Sequence, residues 1–330
     1  MGQPNCAVGF IHMLAALAGS TKGFEIALRE QFFILQRRFK LGHGRKKMLY
    51  SSMAFRWLIT DIDGTLLDDA GELPPENRLA LEKCRELGIP VVLATGRRWT
   101  TLNRLLDRLS LHGLADFAIF NNGMVVKDLR TRQPLHLETF TMETAWAAID
   151  VLAALNIDPL ALTYAPLGGP DVFHRRLSLM NGDFVSKNSA FSREVKDFHE
   201  LSDIGGLVEL ILLGHEPELN LAQSALAKLG RLETALIRNS FYAGYMLEVT
   251  PRHVSKYSGA LRIADILKLD LSEAVAIGDS PNDLPLLRKV GKAVAVQNAS
   301  DDVKASAHDI VSDAASGGLA EAIRRYLVVD

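Results

Sequence analysis

Short apolar runs and helical-period segments alternate at both ends of this chain. Trp57-Leu58-Ile59-Thr60 and Val91-Val92-Leu93-Ala94 read as buried strands, with Pro75 to Leu87 between them as a helix stopped by Gly88. Thr100 to Leu109 reads as a second helix, and Phe117 to Phe120 as a third strand running into Asn121-Asn122-Gly123. The far end repeats the pattern: a helix at Lys256 to Leu267, a strand at Ala274 to Ile277, and a helix opened by proline at Pro281 to Lys289. A strand at Ala293 to Val296 and a helix at Leu319 to Leu327 follow. Strands alternating with helices predict an α/β class, a doubly wound and mostly parallel sheet covered on both faces.

The middle follows another pattern. Met142 to Leu155 reads as a helix, Val208 to Leu213 as a strand and Glu216 to Leu229 as a helix. Ala235 to Ile237 and Tyr245 to Val249 read as strands, and Pro166 to Pro170, with its two glycines, as a loop. These elements predict an α+β domain over 139–249, inserted into a discontinuous core made of 53–138 and 250–330.

The first 52 residues form an appended segment. They carry eight basic residues against Glu25 and Glu30, whereas the whole chain of 330 residues is nearly balanced at a formal net charge of -2. The apolar run Ala7 to Ala18 is too short to span a bilayer, which takes about 20 residues, and no Lys or Arg precedes it to begin a signal peptide. Phe24, Leu28, Phe32, Leu35 and Phe39 fall at helical spacing between basic residues. Met53, four residues before an apolar strand, is expected to be the working start, with 1–52 dispensable. The balanced charge excludes nucleic acid and anionic membrane as default partners. Cys6 and Cys84 form no metal or disulfide pattern, so a reducing, cytoplasmic setting is expected, without stable membrane insertion. Oligomeric state has no signature.

Candidate chemistry gathers at strand ends. In Asp61-Ile62-Asp63-Gly64-Thr65, directly after the first strand, residues i and i+2 face the same side, so both carboxylates face one crevice while Ile62 anchors the backbone. Ligand crevices in parallel sheets lie just beyond the carboxyl ends of the strands. Thr95-Gly96-Arg97 ends the second strand, Lys256 opens a helix, and Gly278-Asp279-Ser280-Pro281-Asn282-Asp283 follows a late strand. If these ends converge, Asp61, Asp63, Asp279 and Asp283 crowd one pocket and require a cation. An all-oxygen donor set near phosphate favours Mg²⁺.

These residues, in this order, resemble the four motifs of the haloacid dehalogenase superfamily of phosphatases. Ala94-Thr95-Gly96-Arg97, Asn122-Gly123, Val254-Ser255-Lys256 and the position of the insert resemble its Cof-type branch, subclass IIB. The resemblance implies that Asp61 is a nucleophile forming an aspartyl-phosphate and Asp63 the acid/base, with Thr95 and Lys256 holding phosphoryl oxygens. It implies Mg²⁺ on Asp61, the backbone carbonyl of Asp63 and Asp279, with Asp283 and Asn282 in support. Gly64, Thr65, Gly96, Arg97, Asn122 and Asn282 are expected around the substrate. Only 32 positions separate Asp63 from Thr95, whereas 161 separate Thr95 from Lys256, so the insert falls where the family carries a C2-type cap. His174, Arg175 and Arg176 are cap positions able to reach a polar substrate.

The expected function is thus a Mg²⁺-dependent phosphatase acting on a small phosphorylated metabolite such as a sugar phosphate, nucleotide or cofactor phosphate. A phosphomutase or phosphotransferase would use the same intermediate, and a metabolite-binding protein of the same fold would make no use of the acid set. Asp63 argues against a dehalogenase. A phospho-accepting receiver domain would need neither the insert nor a second acid two residues after its acceptor.

Overall fold

The computed structural model describes residues 55–166, 168–203, 206–238 and 244–328. The 1–52 segment and Met53, the expected appendage and start, lie outside the described residues. From β1 (Trp57–Thr60) the chain runs through α1 (Pro75–Leu87), β2 (Val91–Ala94), α2 (Trp99–Arg108), β3 (Phe117–Phe120), β4 (Val125–Asp128) and β5 (Pro134–Leu137). It continues with α3 (Met142–Ala154), β6 (Leu160–Thr163), β7 (Val172–His174), α4 (Asn181–Lys187) and β8 (Ser192–Glu194). Then come β9 (Leu207–Gly214), α5 (Glu216–Ala227), β10 (Leu232–Arg238) and β11 (Tyr245–Pro251). The remainder holds α6 (Lys256–Leu267), β12 (Ala274–Gly278), α7 (Leu284–Leu287), β13 (Lys292–Val296), α8 (Asp301–Ser306), β14 (Asp309–Val311) and α9 (Gly318–Tyr326).

Two sheets result. The first has eight strands in the order β14-β13-β12-β1-β2-β3-β4-β5, and the second six in the order β10-β11-β9-β6-β7-β8. In the first, β14 through β3 are parallel, and β4 and β5 add an antiparallel edge. This is the expected mixed α/β class with a mostly parallel sheet. From β1 the chain steps outward to β2 and β3, but from β12 it steps the other way to β13 and β14. Right-handed crossovers then put the two sets of helices on opposite faces, and the divergence leaves a crevice at the carboxyl ends of β1 and β12.

Local chemistry fixes the elements that frame this crevice. Trp57, Leu58 and Ile59 are fully buried, as a strand covered on both faces requires. Pro75 sits at the start of α1, where its missing N–H is no loss, and Gly88 closes the helix at φ 73, with its N–H on the Arg85 carbonyl. Ser255 caps α6: its hydroxyl accepts from the Ser258 N–H, and the Ser258 hydroxyl takes the Ser255 N–H in return.

The predicted single helix over Pro281–Lys289 is corrected to a 3-10 turn, Pro281–Asp283, followed by the short α7. Pro285 lacks the N–H that would reach the Pro281 carbonyl in an α-helix; the Leu284 N–H bonds that carbonyl instead and tightens the turn. Strands β4 to β8 and β14, and helices α4 and α8, add to the elements expected from the sequence. Among the described residues no helix is long and apolar enough to cross a membrane.

The seam between the sheets carries a buried cation. Lys127 on β4 places its ammonium 3.7 Å from the Trp99 ring centroid and 3.4 Å from the Tyr164 hydroxyl, and Phe120 packs against both aromatic rings. Burial, assisted by Arg132, pushes its pKa down to about 8, against about 10.4 in an unfolded chain. Between about pH 8 and 10 the folded state therefore binds fewer protons than the unfolded one, and stability rises with pH across that window. Lys127→Met is expected to raise the melting temperature at pH 7 by roughly 2–4 °C. Melting curves of both proteins over a pH series check this: the gain shrinks above pH 8, where the parent lysine becomes neutral.

Candidate active site

Four strand or loop ends meet at the crevice. Asp61 follows β1, Thr95 follows β2, Asn121 follows β3 and Asp279 follows β12, while Lys256 enters from the first turn of α6. The Lys256 ammonium, 1% exposed, donates to Asp61 Oδ1 at 2.5 Å and to Asp283 Oδ1 at 2.7 Å. Carboxylate oxygens of Asp61, Asp279 and Asp283 all lie within 4.8 Å of one another. The cluster costs electrostatic energy. Burial first, then Asp283 and the neighbouring acids, hold the Asp61 carboxyl well above its ordinary range against the pull of Lys256. Burial and Asp283 likewise push Asp279 up to about 6. Burial opposes the charge on Lys256, yet Asp283 and Asp61 outweigh it and raise its pKa.

The remaining groups lock this cluster in place. Thr65, fully buried, donates its hydroxyl to Asp279 Oδ1 at 2.9 Å. Asp283 Oδ2 accepts the N–H groups of Asp279 and Ser280, which folds the acidic loop back on itself. Gly64 turns the chain away from β1 at φ 76, and a Cβ there would come within 2.8 Å of Asp279 Oδ2, so the position admits no side chain. Asp63 is turned out of the carboxylate cluster: Arg97 grips it with Nε on Oδ2 at 2.7 Å and Nη2 on Oδ1 at 2.6 Å. The Arg97 N–H in turn donates to the Thr95 hydroxyl at 3.0 Å.

Asn121 and Asn122 take left-handed backbone, φ 46 and 52, a strain that single residues hold only where the surroundings enforce it. Their N–H groups donate to the Arg97 and Thr95 carbonyls. Gly123 continues the turn at φ 108, where a Cβ would overlap the Ser255 carbonyl oxygen at 2.1 Å. The Asn122 amide donates to Glu209 Oε1 and Glu248 Oε2, both at 2.8 Å, and its oxygen accepts from Asn282 Nδ2 at 3.1 Å. Gly96 lies beside the same group, with Glu248 Oε1 3.0 Å from where its Cβ would be.

The second sheet is tied down next to this site. Arg98 pairs with Asp171 in a buried bridge and donates to Asn188 Oδ1 at 2.5 Å, while the Thr100 hydroxyl reaches Asp171 Oδ2. Of the three cap positions singled out from the sequence, His174 is buried within β7, Arg175 is paired with Asp158 at 2.7 Å, and Arg176 is exposed at 3.4 Å from Asp158. Sequence reasoning passed over Glu209, Glu248, Asn121, Ser280 and Arg98. The available signal was a lone acid inside each of two apolar strands, Val208-Glu209-Leu210-Ile211 and Met246-Leu247-Glu248-Val249.

The family model of the haloacid dehalogenase-like hydrolases matches residues 58–323. Phosphatase YwpJ of Bacillus subtilis is 26% identical over 285 residues, covering 81% of this chain and 98% of the relative. The 5-amino-6-(5-phospho-D-ribitylamino)uracil phosphatase YcsE of the same organism is 27% identical over 274 residues, with 81% and 94% covered. A solved phosphatase of the superfamily from Bacteroides thetaiotaomicron shares the fold with a TM-score of 0.71 at 23% identity, covering 85% of this chain and 98% of that one. The chain belongs to the haloacid dehalogenase-like hydrolases. It is a phosphatase of that superfamily.

Proposed function

We propose that the protein hydrolyses the phosphate monoester of a small cytoplasmic metabolite through a phosphoryl group carried on Asp61, with Mg²⁺ as its resident metal. The observation that carries this reading is the Lys256 bridge between Asp61 and Asp283 beside Asp279, a buried acid cluster at the carboxyl ends of adjacent strands. The donor set fits the ion. It is all oxygen and compact, three carboxylates within 4.8 Å of one another. Mg²⁺ held by Asp61, the Asp63 backbone carbonyl and Asp279, with Asp283 behind them, would supply charge neutralisation between the nucleophile and the phosphate.

The side chains then divide the work. An Asp61 oxygen bonds to phosphorus as the ester P–O bond breaks, and Asp63 gives its proton to the leaving oxygen. Water next loses a proton to Asp63, and its oxygen displaces Asp61 from phosphorus to release inorganic phosphate. Arg97 aims the Asp63 carboxyl. Thr95 and Lys256 spread the charge of the phosphoryl oxygens. Residues 139–249, which contribute the second sheet, serve as the cap that excludes water and selects the leaving group. The substrate named for the YcsE relative is a small phosphorylated molecule, which supports the same class here.

Turnover of a panel of sugar phosphates, nucleotides and cofactor phosphates with Mg²⁺ tests the substrate class; no turnover of any member would refute it. Chelation tests the metal. EDTA is expected to abolish hydrolysis of p-nitrophenyl phosphate and Mg²⁺ to restore it, whereas Ca²⁺, larger and looser in its coordination, binds without restoring it. Full activity in chelator contradicts the metal assignment.

A further inference from the structure

Glu209 on β9 and Glu248 on β11 are 1% and 6% exposed, and neither belongs to any of the four motifs. The strands are antiparallel neighbours with Glu248 opposite Ile211, so Glu209, two residues from Ile211, shares a face with Glu248 as its diagonal partner. Both accept from the same Asn122 nitrogen at 2.8 Å, and Glu209 Oε2 also accepts from Asn121 Nδ2 at 3.2 Å. Asn122 thereby spends both amide hydrogens on the second sheet. Its oxygen takes Asn282 Nδ2, and Asn282 Oδ1 takes the Ser280 hydroxyl at 2.7 Å. An unbroken chain of hydrogen bonds thus runs from β9 and β11 to the loop that carries Asp279 and Asp283.

We infer that Glu209 and Glu248 are positioning residues which act through Asn122 to fix Asn282 and the acidic loop, so that the seating of the second sheet sets the affinity of the acid cluster for its metal. The inference rests on the reading of that loop as the metal-binding one. Each carboxylate takes one hydrogen of the Asn122 amide, so the loss of either frees that amide to turn. Burial, then each other's charge for Glu209, hold these carboxyls above the ordinary range. The charged groups facing them are Arg98 toward Glu209, and Lys256 and Asp283 toward Glu248.

Calorimetric titration of the full-length protein with Mg²⁺ alone tests this, alongside hydrolysis of p-nitrophenyl phosphate. Glu248→Ala is expected to weaken Mg²⁺ binding about tenfold while kcat at saturating Mg²⁺ changes less than about threefold, because the reacting groups are untouched. Glu209→Gln keeps a side-chain oxygen that can accept from Asn122. It is expected to keep parental Mg²⁺ affinity. Parental affinity in Glu248→Ala overturns the inference, as does a loss in Glu209→Gln equal to that in Glu248→Ala. Should Glu248→Ala not fold, Glu209→Ala beside Glu209→Gln decides: equal Mg²⁺ affinity in the two overturns the inference. No Mg²⁺ binding to the parent itself would instead overturn the metal reading on which the inference rests.

Discussion

Asp61→Asn is expected to lower hydrolysis of every phosphate ester by at least about 10³-fold while the protein stays folded, because the amide keeps the shape but has no charge to attack phosphorus. The fold is expected to tolerate the change. Asp61 is buried among like charges that oppose its ionisation, so removal of its charge relieves repulsion, and the Asn carbonyl can still accept from Lys256. Steady-state rates with melting curves check both halves. Activity within tenfold of the parent would remove Asp61 from the role of nucleophile.

Lys256→Met is expected to damage rate and stability together. The ammonium is the bridge between Asp61 and Asp283, both buried, and loss of one partner of a buried ion pair costs about 3–5 kcal/mol. The sign with pH follows from the acids left behind. Asp61, already held above its ordinary range by burial, loses the cation that opposes that rise, so the variant recovers stability as pH falls toward the point where Asp61 is protonated in both states. Loss of charge on the phosphoryl oxygens adds about 10²–10³-fold in kcat. Melting of parent and variant from pH 5 to 8, with kcat at neutral pH, measures both effects; a variant as stable as the parent at pH 8 contradicts the bridging role.

The candidate site was legible because three of its four motifs follow a short apolar run that reads as a buried strand, as Asp61 follows Trp57–Thr60 and Asp279 follows Ala274–Gly278, while Lys256 opens a helix. The doubly wound order was legible for the same reason. Much of the second sheet was hidden, since Leu160–Thr163 and Val172–His174 are too short to show a period and gain their strand geometry from pairing with distant partners. The edge strands β4 and β5 were hidden likewise: Lys127 interrupts the first, and its burial depends on Trp99 and Tyr164 from elsewhere in the chain. Residues such as Arg97 and Asn122 were found as candidates around the substrate, but their hydrogen bonds to Asp63, Glu209 and Glu248 join positions up to 126 residues apart. Local pattern shows Glu209 and Glu248 as lone acids in apolar strands but not the partners they meet.

Mass spectrometry of the protein quenched in acid during turnover of p-nitrophenyl phosphate with Mg²⁺ tests the central claim most directly. One phosphoryl group is expected on the peptide that contains Asp61, absent from Asp61→Asn and lost on treatment with hydroxylamine, which cleaves acyl phosphates. Steady turnover with no phosphorylated peptide at any quench time, or a phosphoryl group on another residue, would contradict it.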